Sequence, residues 1–253
     1  MTLERITSRK NPLLQQLRRL FSSRGCREEL GLCAADGTKL LAEAVRWIPD
    51  ALRTVVVTPS VDPGPLPPQV RLVEVPEDIM EQISPMETPQ GALFTWTPPQ
   101  PQPLELTPGT LILDGLQDPG NVGTILRTAD AWDLPVVLTP GCADAYGPKT
   151  VRASMGAVFR CPVWVCGLEE LRALLTKSGL PLYGAALRTD TVDVRRADFS
   201  RCAVAVGSEG KGLSAEALAA CDLTVKIPMS GHCESLNAAA AAAVLLWEAA
   251  RDD

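Results

Sequence analysis

Residues 227–237, IPMSGHCESLN, join the end of a predicted strand to an almost purely apolar helix that continues to Trp247. A helix start leaves backbone N–H groups without partners in the helix, and such groups can hold a ligand. Small polar side chains are crowded at this one point and are not spread along a helix face. The stretch therefore predicts a binding site between a strand and a helix.

The composition is that of a folded protein with a large core. The chain has 253 residues, of which 46% are hydrophobic, and this length suits one large or two ordinary domains. No signal peptide is predicted, since residues 1–10 are polar and no apolar segment follows. The longest apolar run, 238–247, is too short to cross a bilayer. We expect a cytoplasmic protein without a membrane span.

Cysteine and histidine usage gives no sign of a metal site. The eight cysteines form no CxxC pair, and His232 is the one histidine. Structural zinc sites need such residues at close spacing, so we expect no metal. Without a signal peptide, free thiols are a better interpretation than a disulfide framework.

The charge is acidic overall and basic locally. A net charge of −6 argues against nonspecific nucleic-acid binding. Between Met1 and Arg27, however, seven basic residues face one acid, Glu4, for a local charge of +6 (seven minus one). A second small cluster contains Lys149, Arg152 and Arg160. These clusters are either RNA contacts or solvated helix faces.

A proline-rich stretch divides the chain. TPPQPQPLELTP at 97–108 holds five prolines, which are incompatible with a helix or a central strand. We predict an N-terminal α/β domain over 1–97, a linker over 98–108 and a second domain over 109–253. In the first domain we expect helices at 12–21, 39–47 and 77–83, and strands at 52–58, 70–75 and 91–96.

After the linker, predicted strands and helices alternate. Strands are expected at 110–114, 135–139, 163–166, 182–186, 202–206 and 223–227, and helices at 122–132, 149–157, 169–177 and 236–250. This alternation predicts a mainly parallel sheet with helices on both faces. In such sheets, ligands bind outside the carboxyl ends of the strands.

Two more polar stretches follow predicted strands. In DPGNVGTILRTAD (118–130), we expect Asn121 to cap the next helix, and Arg127 lies on that helix and would need an anionic partner. GSEGKGLS (207–214) allows close backbone approach to a ligand. Its glycine spacing is not that of a P-loop, and the absence of GxGxxG argues against a dehydrogenase. In the third stretch, Glu234 or Ser235 is expected to cap the last helix.

These three motifs, in this order, closely resemble the signature motifs of the SpoU/TrmH family in the SPOUT superfamily of RNA methyltransferases. Residues 146–157, YGPKTVRASMGA, are also similar to that family, and the likeness covers about 110–250. The N-terminal part resembles the family's ribosomal-protein-like α/β substrate-binding domain, through ITSRKNP (6–12), Asp36-Gly37 and TPQG (88–91).

The resemblance implies methyl transfer from S-adenosylmethionine to a ribose 2′-hydroxyl in RNA, with ribosomal RNA favoured over transfer RNA. It also implies a deep trefoil knot in the C-terminal domain and a homodimer with the site at the subunit interface. By the same resemblance, the catalytic and substrate-positioning residues are Asn121, Arg127, Ser235 and Asn237. The cofactor-binding residues are Gly207, Glu209, Gly210, Ile227, Met229 and Leu236.

Further predictions concern Arg127, His232 and the RNA contacts. A guanidinium with a pKa above about 12 is a poor base, so we expect Arg127 to clamp a phosphate, and we expect no chemistry from His232. The predicted RNA contacts are Arg9, Lys10, Arg18, Arg19, Lys149 and Arg152. The alternatives are a transfer RNA methyltransferase, a non-catalytic RNA-binding assembly factor of the same fold, or another enzyme with an adenine cofactor.

Overall fold

The computed structural model describes residues 3–99, 102–232 and 235–251. They form two compact units: unit 1 comprises 3–99 and 146–159, and unit 2 comprises 102–145 and 160–251. The predicted division at the proline-rich stretch did not place 146–159 in the first unit. In the sequence this segment lies among elements of the second unit, and no local pattern marks where its side chains pack.

Unit 1 contains a mixed five-stranded sheet with the order β1-β4-β3-β5-β2. Strands β1, β4 and β3 are parallel, and β5 is antiparallel to β3 and β2. The strands are β1 (Leu3–Arg5), β2 (Cys33–Asp36), β3 (Leu52–Val57), β4 (Arg71–Glu74) and β5 (Ala92–Trp96). The sequence prediction missed β1, which is short and exposed, and β2, whose CAAD sequence has no strand propensity.

The helices of segment 3–99 are α1 (Pro12–Ser22), α2 (Arg24–Leu30), α3 (Thr38–Trp47) and α4 (Glu77–Ile83). The Asn11 side chain accepts a hydrogen bond from the Leu13 backbone, and Pro12 opens α1, as the sequence predicted. The apolar face of α1 is buried through Leu13, Leu14, Leu17 and Leu20. Helix α2 was not predicted.

Unit 2 contains a parallel seven-stranded sheet with the order β10-β12-β9-β11-β6-β7-β8. The strands are β6 (Leu111–Asp114), β7 (Val136–Leu138), β8 (Val163–Val165), β9 (Leu182–Ala185), β10 (Val192–Asp193), β11 (Ala203–Gly207) and β12 (Leu223–Lys226). The mainly parallel sheet and six of its strands are confirmed. The two-residue strand β10 is too short to give a sequence signal.

The helices of unit 2 are α5 (Pro119–Asp130), α7 (Leu168–Ser178), α8 (Ala215–Ala220) and α9 (Ala238–Ala250), and α6 (Pro148–Ala153) belongs to unit 1. Helix α8 was not predicted. Helix α6 ends earlier than expected because Met155 and Gly156 have positive φ angles of 52° and 88°. No helix in the described ranges is long and apolar enough to span a membrane.

The order in which the chain adds strands to the sheet changes direction beside β6. From β6 the chain adds β7 and then β8 on one side of the sheet, and then builds β9, β11 and β12 on the other side. Ligands of parallel sheets bind where the direction of winding changes, outside the carboxyl ends of the strands. The three sequence motifs follow β6, β11 and β12, so all three lie at this edge.

Helix α5 provides a test of the local fold. The residue that caps α5 is Asp118, whose carboxylate accepts a 2.8 Å hydrogen bond from the Asn121 backbone. We expect Asp118→Ala to lower the free energy of unfolding by about 1 kcal/mol, because it removes this cap. Asp118→Asn keeps an acceptor and should cost only a few tenths of a kcal/mol. Denaturant unfolding of both variants measures this, and equal losses would contradict the assignment.

Candidate active site

An apolar pocket of about 390 Å³ lies at the carboxyl ends of β9, β11 and β12. Its volume falls within the range of about 300–1,000 Å³ that is typical of small-molecule sites. Five of the six residues predicted to bind a cofactor line it: Gly207, Glu209, Ile227, Met229 and Leu236. Ser235 lines it as well. The fold thus brings the second and third motifs together around one cavity.

Gly210, the sixth residue, does not line this pocket. It borders a second cavity of about 850 Å³ at the ends of β6, β7 and β8. The reason is a tight turn, in which the backbones of Ser208 and Gly212 exchange hydrogen bonds of 3.1 and 2.8 Å. Gly210 is at the tip of this turn, and the turn itself separates the two cavities.

The sequence reasoning missed one wall of the pocket. The last residue of β9 and the three that follow it, residues 185–188, line the pocket together with Leu218 and Leu245. Leu187 is 61% exposed although it is a large apolar residue. The rule that ligands bind at strand ends would have found this stretch, because it directly follows a correctly predicted strand.

Glycine is required at the end of β11 because two backbones meet there. A Cβ atom at Gly207 would lie 2.0 Å from the carbonyl carbon of Gly212. At Gly210, by contrast, a Cβ atom would meet nothing within 4 Å. The close approach at Gly207 folds residues 208–212 back over the strand end, which places Glu209 beside the pocket.

A cluster of three polar side chains adjoins the pocket. The Asn121 amide donates a hydrogen bond to the Glu209 carboxylate, and the Asn237 amide donates to Asn121 Oδ1 at 3.0 Å and to Glu209 Oε1 at 3.4 Å. The cluster joins one residue from each of the three motifs. Glu209, which the sequence assigned to cofactor binding, is at its centre and also lines the pocket.

The caps of α5 and α9 differ from the prediction. Asn121 is the third residue of α5, not its cap, so its side chain is available to the cluster. Helix α9 is capped by Asn237, whose Oδ1 accepts from the backbones of Ala239 and Ala240 at 2.9 and 3.2 Å. Ser235 does not cap it, and Glu234 lies outside the described residues. Several polar residues lie near each helix start in the sequence, so their positions alone could not show which of them caps the helix.

Arg127 is not part of the cluster. It lies six positions after Asn121 on α5, which is about 9 Å along the axis and on a different face. Its side chain is exposed, and no hydrogen bond or ion pair joins it to another residue in the described part of the chain. The apolar residues of α5 are buried on its other faces, which leaves Arg127 on the solvent side.

Among the described residues, neither a thiol nor the histidine takes part in the hydrogen bonds of this cluster. The seven cysteines in the described ranges are free, as predicted. Burial raises the pKa of Cys161 and Cys202 to about 12, which keeps these thiols protonated and inert. His232 is exposed. Within the described ranges, no group of three or more metal-binding side chains is present.

The six predicted RNA contacts all lie in unit 1, including Lys149 and Arg152, which enter it through segment 146–159. Acidic neighbours reduce the positive charge that the sequence predicted. Ion pairs join Arg9 to Asp78 and Arg19 to Glu29, and Arg18 donates to the Gln82 side chain. Lys10 and Lys149 are exposed. Exposed pairs are weak, so a phosphate could displace these carboxylates.

Arg152 is in a different environment, since it contacts a buried acid. Its guanidinium lies 3.4 Å from the carboxylate of Asp36, which is 6% exposed. Burial raises the pKa of Asp36, and the positive charge of Arg152 partly offsets this shift. The pair anchors α6 on β2 within unit 1. Arg152 therefore has a structural role that the sequence did not reveal.

The close approach at Gly207 predicts a sharp contrast between two glycines of one loop. We expect Gly207→Ala to destabilise unit 2 by about 2 kcal/mol or more, because its methyl group would overlap the Gly212 backbone. Gly210→Ala is the matched control and should have little effect, since the space around it is open. Thermal denaturation of both variants checks this. Equal midpoints would show that the loop can move aside without cost.

Comparison with known proteins identifies the family. Residues 108–247 match the SpoU rRNA methylase family, and residues 11–93 match the MRM3-like substrate binding domain. The chain is 32% identical to the 23S rRNA (guanosine(2553)-2′-O)-methyltransferase of Bacillus subtilis, over 97% of this chain and 98% of that protein. It is also 32% identical to the 23S rRNA (uridine(2479)-2′-O)-methyltransferase of Streptomyces viridochromogenes, covering 98% and 92%.

A solved structure is similar over almost the whole chain. The AdoMet-bound rRNA methyltransferase from Sinorhizobium meliloti has a TM-score of 0.83 and 30% identity, covering 98% of this chain and 97% of that one. The sheet of unit 2 and the N-terminal substrate-binding unit agree with the predicted SPOUT architecture, within which the trefoil knot stays a prediction from the resemblance. The chain belongs to the SpoU rRNA methylase family.

Proposed function

We propose that this chain transfers a methyl group from S-adenosylmethionine to a ribose 2′-hydroxyl in ribosomal RNA. The observation that carries the proposal is the contact between an apolar pocket and the cluster of Asn121, Glu209 and Asn237. One part can hold an adenine cofactor, and the other offers hydrogen-bonding groups to a hydroxyl. Two full-length relatives are named as 2′-O-methyltransferases of 23S rRNA, which supports this substrate.

The pocket residues fit S-adenosylmethionine. Ile227 and Leu236 are half-buried to exposed apolar side chains that suit an adenine ring. Gly207 adds no side chain to the pocket wall, and Met229 and Ser235 line the pocket beside it. When bound, S-adenosylmethionine supplies a methyl group, which leaves the sulfonium sulfur as a new bond to the ribose oxygen forms.

The polar cluster would position the ribose. Asn237 is held by the start of α9 through its oxygen and by Asn121 and Glu209 through its nitrogen, so its orientation is fixed. This arrangement holds the Glu209 carboxylate in place, with Oε2 available to accept from a hydroxyl. Such preorganisation is a large part of catalysis for an in-line transfer.

Arg127 would serve the phosphate beside the target ribose. A guanidinium does not accept a proton, but it binds phosphate through two parallel hydrogen bonds. The proton of the 2′-hydroxyl would then pass to a phosphate oxygen or a water molecule. Because Arg127 is exposed and lies away from the cluster on α5, we propose that it completes the site of a second subunit in a homodimer.

An apolar surface supports this homodimer. Trp247 on α9 is 53% exposed, Val244 is 36% exposed, and Trp247 packs edge-on against Trp132 at 5.9 Å. Exposed aromatic residues of this kind are typical of interfaces.

The exposed basic residues Lys10 and Lys149, with Arg18 and Arg19, are proposed to contact the RNA from unit 1. We place this activity in the cytoplasm, because the two relatives that methylate 23S rRNA are bacterial proteins.

The proposal is tested on cellular RNA. Mapping of 2′-O-methylation in total RNA, with and without this protein, should reveal one ribosomal site that depends on it. Calorimetric titration should show binding of S-adenosylmethionine and not of NAD. A methylated transfer RNA would favour the alternative substrate. Cofactor binding without any methylated RNA would favour the non-catalytic assembly factor.

Arg127 gives a kinetic prediction. Arg127→Ala should lower kcat for methyl transfer by about a hundredfold or more, with unchanged affinity for S-adenosylmethionine, because the clamp acts on the RNA. Arg127→Lys should recover little of this activity, since an ammonium lacks the planar fork. Arg201→Ala removes an exposed arginine elsewhere and is the control. Near-normal turnover of Arg127→Lys would exclude a fork-shaped clamp.

Mixing two inactive variants tests the role of the second subunit. If Arg127 acts across the interface, Arg127→Ala and Asn237→Ala chains together form heterodimers with one intact site each. Random mixing should then give about a quarter of the activity of the same amount of unmodified protein. Half of the dimers are mixed, and each mixed dimer has one intact site of two. No recovery, in chains that ultracentrifugation shows to be dimeric, would place Arg127 in its own subunit's site.

The basic residues of unit 1 give a binding prediction. Affinity for ribosomal RNA should fall as salt rises, because phosphate contacts release counterions. Replacing Lys10 and Lys149 by alanine should reduce the slope of log K against log salt by about 2. Filter binding over a salt series measures this slope. An affinity that does not depend on ionic strength would contradict a phosphate-binding surface.

A further inference from the structure

The cavity of about 850 Å³ in unit 2 has no role in the mechanism proposed above. It lies at the carboxyl ends of β6, β7 and β8, beside the change of winding direction, where ligands of parallel sheets bind. Ser208, Glu209, Lys211 and Gly212 border both this cavity and the apolar pocket. The two cavities are thus adjacent, with Glu209 of the polar cluster between them.

The floor of this cavity contains a buried carboxylate that is held by hydrogen bonds. Asp114, at the end of β6, is 6% exposed, and its two oxygens accept hydrogen bonds from Thr139 Oγ1 at 3.1 Å and from the Ser214 backbone at 2.7 Å. The carboxylate therefore ties the end of the glycine loop to the sheet. This fixes the position of the loop, which forms one side of the cavity.

The rim carries polar side chains that can hydrogen-bond to a ligand. Glu169 and Arg172 lie three positions apart on α7, and so occupy one side of that helix. One Arg172 nitrogen donates to the Glu216 carbonyl at 2.9 Å, which holds the guanidinium at the rim. No ion pair joins Glu169 to Arg172 in the ranges that the structure describes, and Gln117 adds an amide on the side of β6.

We propose that this cavity binds the base of the target nucleotide, and that the base is guanine. The inference rests on the proposed function. A ribose held at Glu209 and a cofactor in the apolar pocket leave the base to enter the adjacent cavity. RNA is read through splayed-out bases and their hydrogen-bonding edges. Guanine offers N1–H and N2–H donors to a carboxylate such as Glu169, and O6 and N7 acceptors to a guanidinium such as Arg172.

The first test separates base binding from cofactor binding. Methyl transfer to ribosomal RNA from cells lacking this protein is measured for Glu169→Gln and Arg172→Ala. We expect kcat/KM to fall by about tenfold or more for each, as for the loss of a base-edge contact, with unchanged affinity for S-adenosylmethionine by calorimetry. Lys177→Ala is the control, because Lys177 is an exposed cation on the same helix that borders neither cavity.

The second test addresses the identity of the base. A synthetic RNA fragment carries the mapped target as guanosine or as inosine, which lacks the 2-amino group. Inosine should slow the unmodified protein and have a smaller effect on Glu169→Gln, because the glutamine amide keeps only one acceptor oxygen where the carboxylate offers two to guanine N1–H and N2–H. A mapped target other than guanosine, or variants that retain full kcat/KM, would overturn the inference. If the unmodified protein methylates no RNA, the proposed function itself fails.

Discussion

The close approach of two backbones at Gly207 and Gly212 is the constraint on which this site depends. It exists because neither residue has a side chain in the way and because Gly207 ends a fully buried strand. The fold-back of residues 208–212 forms a partition with one cavity on each side and Glu209 next to both. Asp114 secures the far end of the loop by accepting from the Ser214 backbone. The site is therefore built mainly from backbone geometry.

Side chains from three separate motifs then meet on this partition. Asn121, Glu209 and Asn237 come from the segments after β6, β11 and β12, and their hydrogen bonds make one unit of them. None of the three is a strong base, and the thiols of Cys161 and Cys202 are held protonated by burial. The chemistry that fits this arrangement is positioning of a hydroxyl for transfer, with the proton passed to a group outside the cluster.

Acidic partners in the tertiary structure offset much of the positive charge of the N-terminal segment. Between Met1 and Arg27 the sequence has seven positive residues and one acid. Four of the arginines among them form ion pairs with acids outside this segment: Glu74, Asp78, Glu28 and Glu29. Arg27 is buried and donates to the Leu20 carbonyl. RNA binding to unit 1 would thus be an exchange of weak carboxylate partners for phosphates.

The sequence by itself determined the alternation of strands and helices, the parallel sheet of unit 2 and the three motifs at its strand ends. These features depend on local periodicity and on glycine and proline positions, which are readable along the chain. Only the tertiary structure decided that Asp118 and Asn237 are the caps, that Asn121 is free to bind Glu209, and that Arg127 lies apart from them. It also placed segment 146–159 in unit 1 and separated Gly210 from the apolar pocket. Such outcomes depend on which distant groups meet, and residues more than a hundred positions apart leave no local pattern that records their contact.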